Sequence, residues 1–383
     1  MMVSMRWDVR RVGFLLIMLS LVLNAGCRAM PSSTDRGEGA GPHLEKAEQV
    51  RFPGWMKAVA FFQGERSLVV GGCQMPSSTN GTGSSADACD HGLVQVWNLG
   101  ATRPVAAIEL PGTVTALAVS SDGNMWVAGD AAGRLISSKS AGRVSLKSYH
   151  QKGEITALAF SPDGKWVASG SLDRSFPLGF LDMETGGVVR VKARFDPVST
   201  LAFSPDGKNL VVGMMTGEVV VWTFGENSTP LPVLSKKTDG AVTGVAFSPD
   251  GQLLAYGRQD GHIGILDWSR ERVLVEFQGA SAVKTLAFSP DGRYLAYGQE
   301  NGKVVLVESK EMRQVWSKRY LLSITDLAYS SDGTRMAVAT HRIVDVFRLD
   351  AASTGHAAQG GSWVSDKNEG RERSLGQRGE KSR

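Results

Sequence analysis

The chain has 383 residues, 42% hydrophobic and 21% charged, which excludes both a disordered polyelectrolyte and a multi-span membrane protein. Its 45 glycines exceed the usual share of about 7%, and three cysteines are too few for a disulfide-built scaffold. A formal charge of +4 raises the prospect of an acidic partner such as nucleic acid, so the location of that charge matters.

The chain opens with Arg6, Arg10 and Arg11, continues through an apolar run from Val12 to Leu23, and reaches Asn24-Ala25-Gly26-Cys27. A basic start, about a dozen apolar residues and a small-residue ending describe a secretory signal peptide over 1–26. The run is too short for the roughly twenty residues of a spanning helix. This segment carries three arginines and one aspartate, so half of the +4 leaves with it. The remaining charge is spread without a basic block, and no nucleic-acid partner is expected. Ala25-Gly26-Cys27 resembles the lipobox of bacterial lipoproteins, which implies acylation of Cys27 and a membrane anchor. Asn24 stands where that pattern has Leu, with Leu23 one residue further back. Arg28 rather than Asp after the cysteine implies, by the same resemblance, the outer membrane of a bacterial cell envelope. Cleavage near Ala29, leaving a free Cys27 on a secreted or periplasmic protein, is the alternative. Arg10-Arg11 also resembles a twin-arginine signal, interrupted by Gly13. Residues 27–47 then read as the lipidated cysteine and a Ser-, Gly- and charge-rich tether.

From there one phrase recurs: Val114 to Gly123, Ile155 to Gly164, Val198 to Gly207, Val242 to Gly251, Val283 to Gly292 and Ile324 to Gly333, with a worn copy from Met56 to Gly64. Its marker glycines are 59, 41, 43, 44, 41 and 41 residues apart. Each copy opens with an alternating β-branched strand, and Ser-Pro-Asp-Gly closes it in a tight turn in which Pro fixes φ and Gly accepts φ > 0. A second strand follows, as in Leu253 to Gly257. Then comes a hairpin turn such as Asp260-Gly261, Asn301-Gly302 or Thr216-Gly217. A third strand such as Val219 to Trp222 and a more variable fourth fill the period. Four antiparallel strands every forty-odd residues describe a propeller blade.

The first interval is the long one, and its excess falls in blade 1 between the second and third strands, as an insert over 73–91. Cys73 and Cys89 stand at its two feet. In an oxidising compartment such a pair is expected to form a disulfide, worth about 3 kcal/mol in the chain-entropy model. The last copy ends with the third strand Ile343 to Phe347, and Gln49 to Phe52 is expected to supply the missing outer strand and hide the sheet edge. Residues 351–383 are polar, mixed in charge and expected to be disordered.

These repeats resemble the WD40-repeat β-propellers, most specifically in the Phe-Ser-Pro-Asp-Gly turns. The resemblance covers about residues 48–350. The expected fold is all-β: a seven-bladed WD40-like propeller of four-stranded antiparallel blades, with an N-terminal strand closing the last blade. The Trp-Asp ending survives only in part, as Trp97-Asn98, Trp222-Thr223, Leu181-Asp182 and Leu266-Asp267, and the Gly-His before each blade is absent. The family's buried Trp-Ser-His-Asp network is therefore expected to be missing or broken. In such propellers the second turn of each blade shares a face with the interblade connections, so the insert is expected to project there.

No catalytic constellation is visible. The six histidines are scattered, and Asp90-His91 beside Cys89 reads as a solvated loop before a metal site. Gly81-Thr82-Gly83 matches a dinucleotide fingerprint by letters only, without the strand and helix that motif requires. Asp130, Asp173, Asp260 and Glu300 recur in one class of turn, where turn chemistry accounts for them, although they could ring one face with carboxylates. Innermost strands line the channel, and their second residues are Lys57, Thr115, Thr156, Ser199, Thr243, Lys284 and Thr325, suited to a wet wall. A small residue follows in six blades, and Asp326 departs. Lys57, Asp90, His91, Asp173, Asp260, Lys284, Glu300 and Asp326 are thus the candidate binding face. The resemblance implies a non-catalytic, envelope-anchored scaffold for protein partners, with no cofactor. A hydrolase- or lactonase-type propeller enzyme, or a sugar- or peptide-binding propeller with its site on the insert-bearing face, is the alternative.

Overall fold

The computed structural model describes residues 42–63, 66–75, 89, 91–139, 147–191, 196–224 and 231–350. The signal segment, Cys27, Gly64, the interior of the insert with Asp90, and the tail over 351–383 lie outside the described residues. Within them the chain forms 28 strands and no helix, organised as seven four-stranded antiparallel sheets. Each innermost strand touches the innermost strands of the two adjacent sheets, and the last meets the first, so the sheets close into a seven-bladed propeller. Blades 1 to 6 span 54–110, 114–150, 155–191, 198–237, 242–278 and 283–319. Blade 7 spans 324–350 and takes its outer strand from His43–Arg51.

Strand composition follows from place in the blade. Second and third strands are covered on both faces by neighbouring blades, and their central residues read as apolar runs, as in Leu210 to Val212 of Asn209–Met214 and Val219 to Trp222 of Glu218–Thr223. Outer strands such as Val188–Val191 and Leu231–Lys237 are largely exposed. Strict polar alternation is accordingly weak in the blade interior.

Ser-Pro-Asp-Gly and its variants form one repeated cage. In blades 2 to 7 the Ser Oγ donates to the Asp Oδ1 two residues on, at 2.5–2.6 Å. The Gly N–H donates back to the Ser carbonyl, and the glycines sit at φ between 69° and 72°, a region that disfavours any side chain. The Ser hydroxyl holds the carboxyls of Asp122, Asp163 and Asp206 below the ordinary range.

A second glycine sets the distance between blades. At the end of the second strand, Gly71, Gly129, Gly170, Gly213, Gly257 and Gly298 face the first residue of the next innermost strand, always Val or Ile. A Cβ on any of them would fall within 2.7 Å of that residue's γ-carbon. The closing seam between blades 7 and 1 is made differently. Ala339 takes the glycine's place and Met56 the β-branched residue's, both fully buried in one cluster. A side chain unbranched at Cβ leaves room for the extra methyl.

The closing strand is longer than expected. It pairs from His43↔Asp350 to Arg51↔Ile343, so residues 43–47, expected in the tether, belong to the propeller. Asp345 explains why. Its buried carboxylate accepts Lys46 Nζ at 2.8 Å and Gln49 Nε2 at 2.8 Å from the closing strand. Tyr320 donates to its other oxygen at 3.2 Å, and Lys318 Nζ lies 3.4 Å away, both from the blade 6 side. Burial pushes the Asp345 carboxyl up, but hydrogen bonds from Lys46 and Gln49 and the charges of Lys46 and Lys318 outweigh it, and its pKa is lowered.

Part of the expected polar network has a substitute. In blade 3, Ser169 Oγ donates to Gln151 Oε1 at 2.6 Å, and Gln151 Nε2 reaches Ser171 Oγ at 3.1 Å, all buried. In blade 2 the indole N–H of Trp126 is buried with no partner among the described residues.

Candidate functional site

A β-bulge interrupts every innermost strand at the equivalent place, between its first and third residues in blades 2 to 7 and between Met56 and Ala58 in the longer strand of blade 1. The bulged residues are Lys57, Thr115, Thr156, Ser199, Thr243, Lys284 and Thr325. A bulge re-aims a side chain, and these seven line a central cavity of about 250 Å³. The hydroxyls do more than wet the wall. Thr115 Oγ1 donates to the Ile155 carbonyl at 2.5 Å, Thr156 to Val198 at 2.6 Å, Ser199 to Val242 at 2.5 Å and Thr243 to Val283 at 2.6 Å. Each bond reaches the first residue of the next blade, so a belt of hydroxyls ties blades 2 to 6 around the channel.

The belt stops at blade 6, where Lys284 has no hydroxyl to give. In blade 7 the Thr325 Oγ1 is buried with no partner among the described residues, and in blade 1 the position is Lys57. The arc of blades 6, 7 and 1 is therefore the irregular part of an otherwise repeated wall.

Second turns and interblade connections share a face, here termed upper. Gln151 N–H donates to Gly133 O at 2.8 Å, Gly279 N–H to Gly261 O at 2.8 Å and Tyr320 N–H to Gly302 O at 2.8 Å. The bulged residues lie at the upper end of their strands, which puts Lys57 and Lys284 at the mouth. His341, in the second turn of blade 7, stacks on Trp55 with ring centroids 5.3 Å apart. Its carbonyl accepts Met56 N–H at 2.7 Å across the closing seam. The His341 Nδ1 is buried and has no partner among the described residues. Desolvation, then the charges of Lys57 and Lys284, push the imidazole below its ordinary pKa, so it is neutral near pH 7. Glu300 lies 3.6 Å from Lys284, both exposed. Beside the blade 6 turn, the connection to blade 7 carries Leu321, fully exposed, and Leu322, 43% exposed.

Asp326 lines the same cavity but faces the backbone. Its Oδ2 accepts Val59 N–H at 2.9 Å from blade 1. Its Oδ1 accepts Leu327 N–H at 2.8 Å and Thr285 Oγ1 at 3.2 Å from blade 6. Desolvation raises its pKa to about 6 against the pull of these donors. Asp326 thus bridges three blades across the gap in the belt. Among the described residues Asp326 makes no hydrogen bond to His341, whose Nδ1 has no partner.

The other candidates divide. Cys73 and Cys89 are joined in a disulfide, Cα atoms 5.6 Å apart, and Cys73 pairs directly with Trp55 of the innermost strand. His91 is exposed and opens the third strand of blade 1 opposite Gln74. Asp90 and Cys27 lie outside the described residues. Asp173 accepts Ser175 N–H at 2.9 Å within its own turn. Asp260 accepts His262 N–H at 3.2 Å and pairs with Arg258 and His262. Asp130 is fully buried and accepts Ala132 N–H, Arg134 N–H and Arg134 Nε. These three carboxylates serve their turns, and Glu300 faces the mouth.

Among the described residues no three His, Cys, Asp or Glu gather as a metal site. A larger groove of about 950 Å³ lies on the lower face between blades 3 and 4, lined by Trp166, Phe180, Val189, Phe203 and Phe224. Its carboxylates, Asp163 and Asp206, are held in the Ser-Pro-Asp-Gly cages.

Trp55, His341, Leu321 and Leu322 were not singled out in the sequence. Aligning the repeats carries their signal: blade 7 has Thr340-His341-Arg342 where blades 5 and 6 have an Asp-Gly or Asn-Gly turn, and an apolar Leu pair stands where the connections after blades 4 and 5 are polar or small.

The family model of the WD domain, G-beta repeat, matches residues 143–176, 189–223 and 271–307. That of the anaphase-promoting complex subunit 4 WD40 domain matches residues 220–282. The second and third of the G-beta repeat matches begin at the outer strand of one blade and end in the third strand of the next. That offset is the one by which His43–Arg51 completes blade 7. No curated protein matches the chain.

Proposed function

We propose that this WD-repeat propeller is an envelope-anchored, non-catalytic scaffold that binds a protein partner over blades 6, 7 and 1 of its upper face. The observation that carries the reading is the exposure of Leu321 and Leu322 on the same face as the Trp55–His341 stack and the two mouth lysines. Apolar and aromatic anchors rimmed by charge are the anatomy of an interface hot spot. The repeat matches support it, since WD40 propellers generally mediate protein–protein interactions. The break in the hydroxyl belt favours the arc of blades 6, 7 and 1 for that role.

The anchor reading rests on Ala25-Gly26-Cys27. Pro42 and Asp350 both lie at the lower end of blade 7, because His43 pairs with Asp350 at the end of a strand descending from the His341 turn. Fifteen peptide steps from Cys27 to Pro42 reach at most roughly 50 Å. An acylated Cys27 would hold the lower face toward the membrane and leave the upper face, with the insert, turned away. Fatty-acid labelling that persists in Cys27→Ser refutes the anchor.

The scaffold is tested by affinity capture with Leu321→Ser/Leu322→Ser beside wild type. Loss of the captured partner with an unchanged melting temperature is expected, and undiminished capture contradicts the site. An enzyme is the second reading, favoured only by the buried His341 Nδ1, which has no partner among the described residues. A hydrolytic activity abolished by His341→Ala would establish it.

A further inference from the structure

Hydrogen-bond accounting around the channel is unequal. Four hydroxyls on blades 2 to 5 each find a carbonyl on the next blade. In the remaining arc the donors lack acceptors. Thr325 Oγ1 is buried and unpartnered, and Lys57 makes no ion pair among the described residues. Lys284 has only Glu300 at 3.6 Å, a solvent-exposed contact of little weight. Asp326, the carboxylate in the cavity wall, accepts from Val59, Leu327 and Thr285. Two exposed ammonium groups at one mouth without a strong carboxylate partner among the described residues favour an acidic group from outside.

From this excess of positive charge we infer that the mouth is a carboxylate subsite: an Asp or Glu side chain of a partner peptide enters between the exposed ammonium groups of Lys57 and Lys284. Size agrees with a side chain, because about 250 Å³ falls below the range of pockets that enclose whole small ligands. A flexible peptide also matches the surroundings. Leu321 and Leu322 on the connection into blade 7, and the Trp55–His341 stack at the seam of blades 7 and 1, offer apolar and aromatic contact for residues flanking the acid. Charge-assisted hydrogen bonds to two ammonium groups supply specificity for the acid over its amide. The inference rests on the scaffold reading and goes further by naming what the partner presents.

The test is panning a random peptide library displayed on phage against the immobilised propeller, followed by binding isotherms on two variants. Lys57→Met/Lys284→Met keeps side-chain length and removes both charges, and Leu321→Ser/Leu322→Ser removes the apolar contacts. Thermal melts establish that each variant is folded. Enriched peptides should carry Asp or Glu, bind the lysine variant at least about tenfold more weakly, and lose a similar factor when the acid is changed to its amide. Peptides that lose affinity on the leucine variant but not on the lysine variant would overturn the carboxylate subsite while leaving the scaffold standing. No enrichment, or binding indifferent to both variants, would overturn both.

Discussion

Replacing Asp345 by Ala tests how the ring is closed. The carboxylate is 3% exposed and holds two elements that are remote in sequence, the closing strand through Lys46 and Gln49 and blade 6 through Tyr320 and Lys318. Each hydrogen bond to a charged group contributes about 1.5–3 kcal/mol. Lys46 and Lys318 keep 39% and 35% side-chain exposure and recover solvation when released, which discounts their share. Gln49 and Tyr320 lose their acceptor outright. The net loss is about 3 kcal/mol, a fall in melting temperature of roughly 5–10 °C for a domain this large. The native pKa is depressed, so the stabilisation is present above the unfolded carboxyl's pKa and is lost as pH falls through the folded value. Calorimetric melts at pH 7 and pH 3 should therefore show a large gap between variant and wild type that narrows in acid. A melt within about 1 °C of wild type at pH 7 would refute the argument.

Gly298→Ala should cost about 1–3 kcal/mol by driving a methyl into Ile324 Cγ2, and Ile324→Met in the same chain should recover at least half, as in the Ala339–Met56 seam. A double-mutant cycle by urea melts measures the coupling, and additive losses contradict the seam geometry. Cys73→Ser/Cys89→Ser removes a bridge across sixteen residues and should destabilise by about 3 kcal/mol, read by the shift in urea midpoint. Carboxyl NMR of Asp326 should show a midpoint at about 6. Between the unfolded value near 4 and this midpoint the folded state binds more protons, so this group's contribution to stability declines as pH rises through that window. A midpoint in the ordinary aspartate range removes the desolvation argument.

The repeat was legible because the Ser-Pro-Asp-Gly cage and the glycine at the blade seam are local demands of backbone and packing, restated every forty-odd residues. The closing strand was legible in kind from the missing outer strand after Phe347, but not in length. Its extension to His43 depends on Asp345, which lies about three hundred positions away in the chain and reads there as one more alternating polar residue. Lys57, Lys284 and Asp326 stood out as departures at equivalent positions. The bulge that aims them, and the belt their neighbours form, did not, because a bulge is a register relation between two strands and leaves no mark on one. Asp130, Asp173 and Asp260 looked like Glu300 by position. Only their hydrogen bonds separate turn carboxylates from the one at the mouth.

Site-specific photocrosslinking on intact cells tests the central claim most directly. A benzophenone amino acid replaces Leu321 in one chain and Val233, 46% exposed on the outer strand of blade 4, in another. The account predicts a discrete protein adduct from position 321 that disappears with Lys57→Met/Lys284→Met, and none from position 233. Equal adducts from both positions, or an adduct from 233 alone, would contradict it.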